Sequence, residues 1–221
     1  MNILSLENTL DTFSMAVSVN CETAQFIASQ RSAAERFTLA LDFLLKHAGI
    51  TLKDIDAYVM GTGPGSFTGM RVCLSIIKGL SAAVERPCVG VPSYRAVIEQ
   101  YAEPDRTCAV IFDAKKDSVY GAVYRKTDDG IVCMIPEGLY RLESFLNDCC
   151  GDDYYFLGES NVFAQRIREV YPYAHVASLL TPPEARYLIP SALATMKTTG
   201  GVFADKIELL YIHPDTCTVT R

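Results

Sequence analysis

The order of hydrophobic periodicities in the first half of the chain restricts the fold more than any other feature of the sequence. Three stretches with strand character come first, at residues 3–6, 13–19 and 24–29, and short turn-forming segments separate them. Strands joined by such short loops must be antiparallel neighbours, because a parallel pair needs a crossover of about a dozen residues. The beginning of the chain therefore predicts a three-stranded antiparallel sheet.

After these three stretches the hydrophobic pattern changes, and segments with helical spacing alternate with short strand-like runs. Apolar residues at helical spacing and short apolar runs predict these elements at residues 33–48, 57–60, 67–84, 88–91, 93–101 and 107–112. Helices placed between strands imply crossovers onto a common sheet. We expect residues 1–106 to form one α/β lobe with a mixed sheet.

The second half of the chain is less regular. A hairpin is predicted from the runs at 118–124 and 131–135, because Asp128-Asp129-Gly130 between them is a strong turn signal. Further apolar patterns predict a short strand and two helices, at residues 154–157, 162–170 and 190–198. We expect residues 107–221 to form a second lobe that is reduced or irregular.

Charge and cysteine content exclude several classes of protein. With 20 basic and 26 acidic residues the chain has a formal charge of −6, which argues against a protein that mainly neutralises phosphates along a nucleic acid. Its eight cysteines include no C-x-x-C pair, which favours a reducing compartment over a disulfide or zinc scaffold. The first residues lack a basic signal-peptide region, and no stretch reaches the roughly 18 apolar residues of a membrane span. We expect a cytoplasmic protein.

The strongest local signal is a glycine-rich turn between a predicted strand and a predicted helix, which reads Gly61-Thr62-Gly63-Pro64-Gly65-Ser66-Phe67-Thr68-Gly69-Met70-Arg71. Backbone N–H groups of such a turn can face an anion, and Gly63, Gly65, Ser66 and Thr68 are then the phosphate-contacting residues. The turn is neither a P-loop nor a dinucleotide fingerprint, since Gly-Lys-Ser/Thr is absent and the glycine spacing does not fit. The alternative is a tight turn in which Ser66 or Thr68 caps the helix.

Two carboxylates stand at predicted strand ends, where open α/β sheets place ligand chemistry. Glu7 ends the first strand and Asp113 ends the strand at 107–112, so both are candidates for holding nucleotide or magnesium. Solvated turn acids explain the two residues equally well. The three histidines lack metal-clamping spacing and the G-x-S-x-G motif is absent, so the sequence gives hydrolytic catalysis little support.

The helix that follows the turn is apolar on most of its faces. Such a helix must be covered on most faces, either by the core of the same chain or by a partner chain. Ser75, Gly79 and Ala83 recur at four-residue spacing, which would permit close approach of a second helix.

Several segments of the chain resemble the TsaB (YeaZ) family. The glycine-rich turn and Lys78-Gly79-Leu80 resemble that family's G-x-G-P-G-S-F-T-G-L-R…K-G-L-A stretch. Three flanking segments resemble family motifs in the same order, namely Ile3-Leu4-Ser5-Leu6-Glu7-Asn8-Thr9, Gly90-Val91-Pro92-Ser93 and Phe112-Asp113-Ala114-Lys115-Lys116-Asp117-Ser118-Val119-Tyr120. The likeness covers nearly all of the first 125 residues.

The resemblance implies an α/β fold of the two-lobed actin/Hsp70/sugar-kinase-like (ASKHA) type, in which each lobe is RNase H-like with a mixed β-sheet. It also implies an accessory, non-catalytic subunit of the bacterial machinery that makes threonylcarbamoyladenosine (t6A) in tRNA. Such a subunit pairs with and activates the TsaD catalytic subunit, and the TsaE ATPase docks on the pair. The cofactors, ATP and a metal, are then expected on the partner subunits, and this chain is not expected to bind tRNA directly.

In the family the pairing surface is built from the first two helices. Here it is expected to include Phe37, Leu41 and Leu44 of the first helix, and Arg71, Leu74, Ile77 and Lys78 of the second. A homodimer that forms through the same helices is the alternative to pairing with TsaD.

Departures from the family pattern argue against nucleotide chemistry carried out by this chain itself. The metal-binding H-x-x-x-H of the catalytic paralogue has no counterpart, since the matching segment reads Arg31-Ser32-Ala33-Ala34-Glu35-Arg36-Phe37. Glu7 replaces the usual Asp, and Lys115 replaces Arg. The alternative functions are an ATP-binding actin-like phosphotransferase, which would use Glu7 or Asp113 for magnesium, and a metallopeptidase-like enzyme, which the absent histidine pair opposes.

Overall fold

The computed structural model describes residues 1–29, 33–149 and 154–210, without the side chains of residues 33–35. The segment without the paralogue's histidine pair therefore lies partly outside the described residues. This applies to residues 31 and 32 and to the side chains of residues 33–35. The strands are β1 Ile3–Glu7, β2 Thr12–Val19, β3 Glu22–Ser29, β4 Ala57–Gly61, β5 Cys88–Val91, β6 Thr107–Asp113, β7 Ser118–Thr127, β8 Gly130–Arg141, β9 Tyr154–Gly158 and β10 His175–Val176. The α-helices are α1 Ala33–His47, α2 Phe67–Ala83, α3 Ser93–Tyr101, α4 Leu142–Asp148, α5 Ala164–Val170 and α6 Ile189–Thr199.

The same sheet topology occurs twice. In the first sheet the strand order is β3-β2-β1-β4-β5, with antiparallel pairing among the first three strands and parallel pairing of β1 with β4 and of β4 with β5. The second sheet has the order β10-β9-β6-β7-β8, with β6, β7 and β8 antiparallel and β6, β9 and β10 parallel. Read from its other edge, the second order repeats the first. Each lobe thus has the expected mixed, RNase H-like sheet, and both sheets have five strands.

The chain forms two compact units, which differ from the predicted division into residues 1–106 and 107–221. The first unit contains residues 1–96 and also 183–210, whereas residues 97–182 belong to the second. The late segment joins the first unit through buried polar and apolar contacts. Ser5 donates its hydroxyl hydrogen to the carbonyl of Ala185 at 2.8 Å, and the Ala185 N–H donates to Ser14 Oγ at 2.8 Å.

Both faces of the first sheet are covered at its centre, which explains why every residue of β1 and β4 is buried. Alternate residues such as Leu4 and Leu6 pack under α1 and α2, while Ile3 on the other face packs with α6. Residues Leu188, Ile189 and Ala192 supply the α6 side of that second cluster. The outer sides of α1 and α2 therefore lie on the same side of the first unit.

In the second unit, α4 and α5 cover one face of the sheet, with Leu142, Phe145 and Ile167 buried against Ile111 and Phe156. Helix α4 and strand β10 were not predicted, because seven and two residues are too short to display a period. The other predicted helices and strands are confirmed, most of them with ends within a few residues of the prediction.

Candidate functional site

The glycine-rich turn joins β4 to α2 and packs against the loop that follows β1. Gly65 has φ of +149°, and a Cβ at this position would collide with the carbonyl oxygen of Thr9. The Ser66 N–H donates to that same oxygen at 2.6 Å. Ser66 also caps α2, because its Oγ accepts a hydrogen bond from the Gly69 N–H at 3.1 Å. These contacts support the capped-turn interpretation.

The other predicted phosphate residues of the turn have ordinary structural surroundings. Gly63 has φ of +105° and lies against the side chain of Met70, and Thr68 is exposed in the first turn of α2. A phosphate contact by Gly63, Gly65, Ser66 and Thr68 stays a prediction, because the described contacts already account for their conformations.

Glu7 is a fully buried carboxylate that ties three elements together. Its Oε1 accepts the Thr9 N–H at 2.7 Å, and its Oε2 accepts the hydroxyl hydrogen of Ser93, at the start of α3, at 2.7 Å. At the end of β4, Gly61 leaves the space that the carboxyl group fills, since a Cβ there would overlap Glu7 Oε2. Burial raises the pKa of Glu7, although the hydrogen bonds from Thr9 and Ser93 act to lower it. Both oxygens are thus occupied within the protein, which suits a structural tie better than a magnesium ligand.

Asp113 lies at the end of β6 in the second unit and is also bonded within its own loop. Its carboxylate accepts the Lys115 N–H at 2.8 Å and pairs with Lys115 Nζ at 2.5 Å. Its own N–H donates to Glu159 Oε2 at 2.7 Å. Burial raises the pKa of Asp113, but the hydrogen bonds and charge of Lys115 outweigh burial and lower the pKa below its usual value. Glu7 and Asp113 belong to different compact units.

The predicted pairing surface on α1 and α2 is partly wrong. Leu44 and Ile77 have no exposed surface and belong to the core of the first unit, because they sit on the helix faces turned toward the sheet. Phe37, Leu41 and Leu74 are half-buried at the edge of that core, and two residues, Arg71 and Lys78, are exposed. The exposed surface of α1 and α2 is therefore shifted around each helix from the predicted set of residues.

The predicted set of residues omitted the large apolar side chains that face outward on α1 and α2. Leu39 and Phe43 of α1 are 73% and 61% exposed, and Phe67 at the start of α2 is also exposed. Leu39 and Phe43 are four residues apart, so they lie on one side of α1. That spacing was visible in the sequence, but the sequence does not say which of several apolar stripes on a helix faces the sheet.

A groove of about 530 Å³ runs along α2 beside Phe37 of α1. Its lining is Phe37, Phe67, Thr68, Arg71, Val72, Ser75 and Ile76. The Arg71 guanidinium lies 3.7 Å from the centre of the Phe67 ring, a cation–π contact that holds both side chains at the rim. Farther along α2, Gly79 is exposed, and apart from the backbone of its own helix no described atom of a non-adjacent residue lies within 4 Å of the position that its Cβ would take. We call the exposed part of both helices, with Leu39, Phe43, Phe67, Arg71 and Gly79, the outer helix face.

Within the described residues, no group of three or more His, Cys, Asp or Glu side chains is arranged to hold a metal ion. None of the described helices has the length and apolar character that a membrane crossing requires.

Comparison with known proteins gives consistent results. A family model described as "TsaD: tRNA N6-adenosine threonylcarbamoyltransferase" matches residues 24–197. The protein named "tRNA threonylcarbamoyladenosine biosynthesis protein TsaB" of Escherichia coli is 30% identical over 134 residues, covering 59% of this chain and 58% of the relative. The protein of the same name in Bacillus subtilis is 25% identical over 150 residues, covering 66% and 65%. This chain thus spans less than two thirds of the length of these relatives.

Solved structures extend the likeness to nearly the whole chain. A Pseudomonas aeruginosa protein described as similar to the peptidase YeaZ has a TM-score of 0.83 at 25% identity, covering 96% of this chain and 99% of that one. A second structure, YeaZ from Pseudomonas aeruginosa, has a TM-score of 0.80 at 23% identity. These neighbours confirm the α/β fold that the resemblance implied. The chain belongs to the family of that tRNA N6-adenosine threonylcarbamoyltransferase model and, within it, to the TsaB (YeaZ) family.

Proposed function

We propose that this chain is a non-catalytic subunit of the machinery that forms threonylcarbamoyladenosine in tRNA, and that its outer helix face binds and activates the TsaD-type catalytic subunit. Its family membership supports the pathway, since relatives in Escherichia coli and Bacillus subtilis are named biosynthesis proteins for this nucleoside. ATP, a metal and the TsaE ATPase then act on or with the partner subunit. A cytoplasmic location stays a prediction.

The observation that carries the partner role is the exposure of large apolar side chains on the outer helix face. Leu39 and Phe43 are mostly exposed although they lie next to a well-formed core. Exposed apolar patches of this kind mark protein interaction sites in soluble proteins. The open space at Gly79 lets a partner helix come close to the backbone of α2. Binding energy on this face would stabilise one state of the partner, which is a population shift.

The enclosure of the candidate acids supports a non-catalytic role. Glu7 has no exposed surface and both of its oxygens accept hydrogen bonds, so a ligand reaches them only if β1, β4 and α3 rearrange. Asp113 is engaged by Lys115. Neither carboxylate is poised as a general base or as an open metal ligand in the described arrangement.

The test is reconstitution with the catalytic subunit and the ATPase from the same cell. Phe43→Asp should abolish the complex in analytical ultracentrifugation and the formation of threonylcarbamoyladenosine, because a charge replaces an apolar contact at the interface. Val162→Asp, at an exposed apolar position of the second unit, is the matched control and should leave both unchanged. Full pairing and activity of Phe43→Asp would contradict the assigned surface. Modification of tRNA by this chain alone would contradict the non-catalytic role.

A further inference from the structure

Another exposed aromatic residue lies beside the far end of α2, on the segment of residues 200–206. Phe203 is 58% exposed, yet its neighbours are fixed on both sides. Before it, Val202 forms a two-hydrogen-bond bridge with Cys88 at the edge of β5, at 2.7 and 2.9 Å. After it, Ala204 and Ile207 are buried in the same core as Leu80 of α2.

The approach to this segment is also fixed by its backbone. Gly200 ends α6 with φ of +73°, and Gly201 continues with φ of +83°, both in the left-handed region. Gly201 is pressed against β5, since a Cβ there would come within 3.0 Å of Pro87 Cβ. The Phe203 ring is therefore held out from the surface by a rigid support. Rigid aromatic side chains are effective interface anchors, because little conformational entropy remains to be lost on binding.

The surroundings of Phe203 connect it with the outer helix face. A hollow of about 390 Å³ separates Phe203 from α2 and is lined by Lys78, Ser81, Ala82, Glu85, Ala204 and Asp205 in addition to the ring. A smaller hollow of about 250 Å³ lies on the other side, beside Pro87 and Gly201. Lys78 and Ala82 are exposed on α2 and lie within one turn of Gly79. Since both residues also line the hollow beside Phe203, the exposed Phe203 side chain extends the outer helix face. The exposed Lys78, Glu85 and Asp205 supply a charged rim of both signs, as interface rims commonly do.

We infer that the surface for the catalytic subunit extends from α2 onto the 200–206 segment, and that Phe203 inserts as an anchor into an apolar pocket of that subunit. This inference rests on the proposed function. It commits to the catalytic subunit as the occupant because a partner helix lying along Ser75 and Gly79 would reach Phe203 at the end of α2.

The experiment measures the affinity of this chain for the catalytic subunit by calorimetry. Phe203→Ala should raise the dissociation constant at least about tenfold, because interface anchors of this type carry much of the binding energy. Tyr173→Ala, which removes an 85% exposed aromatic ring from the second unit, is the matched control and should change it less than about twofold. Thermal unfolding of both variants should match that of the unmodified chain, since each ring is largely exposed.

A photo-crosslinking residue at position 203 provides a readout that does not depend on stability. It should crosslink to the catalytic subunit in the complex. Crosslinking only to a second copy of this chain, or a dissociation constant of Phe203→Ala within twofold of the original while Phe43→Asp abolishes binding, would overturn the extension and leave the proposed function standing. If the unmodified chain itself failed to bind the catalytic subunit, the proposed function would be wrong.

Discussion

At the level of single residues, Glu7 shows how one side chain can match a motif and still take a different role. Its position at the end of β1 suggested a ligand for nucleotide or magnesium. In the structure its carboxyl group is enclosed by Thr9, Ser93 and Gly61 and joins the first strand to α3. Such an enclosed acid affects the stability of the fold more directly than it affects ligand binding.

Replacement of Glu7 by Gln should change the pH dependence of stability. Because burial raises the pKa of Glu7, the folded chain binds this proton more tightly than the unfolded chain. The contribution of Glu7 to stability is therefore largest below its ordinary pKa of 4.5 and falls as the pH rises toward the raised value. Glu7→Gln has no ionisable group at this position and therefore lacks this loss. The free energy of unfolding of the variant, relative to that of the original chain, should consequently be higher at pH 8 than at pH 5. Urea denaturation at both pH values measures it, and a constant difference would contradict the expectation.

Gly65 is a residue of the turn that should tolerate substitution poorly. A Cβ would collide with the Thr9 carbonyl oxygen, and φ of +149° is strained for any L side chain. Gly65→Ala should therefore lower the free energy of unfolding by about 2 kcal/mol or more. Chemical denaturation gives the value, and a loss below about 0.5 kcal/mol would show that the turn relaxes at little cost.

At the level of elements, α1 and α2 each divide into a core face and an outer face. Ile77 and Leu44 are on the core faces, whereas Phe43 and Gly79 are on the outer ones. The residues predicted for the pairing surface mix the two faces, since Leu44 and Ile77 are buried whereas Arg71 and Lys78 are exposed. Substitutions on the two faces should consequently fail in different ways.

Ile77→Asp and Phe43→Asp separate these two kinds of failure. Ile77→Asp buries an unpaired charge among Leu4, Tyr58 and other core residues and should cost about 3–5 kcal/mol of stability. Phe43→Asp should stay within about 0.5 kcal/mol, because the ring is mostly exposed. Thermal unfolding of the isolated chain distinguishes them. Comparable melting temperatures for both variants would contradict the assignment of the faces.

Gly79 allows a paired test on α2. Gly79→Ala should stabilise the isolated chain by up to about 1 kcal/mol, since alanine is the better helix former and the Cβ position is open. Gly79→Met should preserve the fold but weaken binding of the catalytic subunit, because the longer side chain holds a partner helix away from α2. Retention of full affinity by Gly79→Met would show that no helix packs there.

At the level of the whole molecule, the negative charge is confined to one unit. Residues 1–96 and 183–210 carry eleven basic and eleven acidic residues, whereas residues 97–182 carry eight basic and fourteen acidic ones. The unit that bears the outer helix face is thus electrically balanced, and the entire −6 belongs to the other unit. Neither composition is that of a surface that collects phosphates.

This charge distribution predicts weak binding of tRNA by the chain alone. The dissociation constant at physiological salt should be weaker than about 10 µM, because few phosphate contacts and little counterion release are available. Filter binding over a series of salt concentrations measures both the affinity and its salt dependence. Tight binding with a steep salt dependence would place a tRNA surface on this subunit.

Most of the helices and strands of this protein, and their order, follow from local patterns in the sequence. Hydrophobic period, short loops and turn residues act within a few positions of one another, so the three antiparallel strands and the helix that follows the glycine-rich turn were predictable. Tertiary structure alone decided that the segment at 183–210 returns to the first sheet, that Leu44 and Ile77 face inward, and that Glu7 is sealed by Gly61 and Ser93. The physical reason is that these features depend on contacts between residues far apart in the chain, such as Ser5 with Ala185, and a periodic pattern identifies an apolar stripe without naming the surface that covers it.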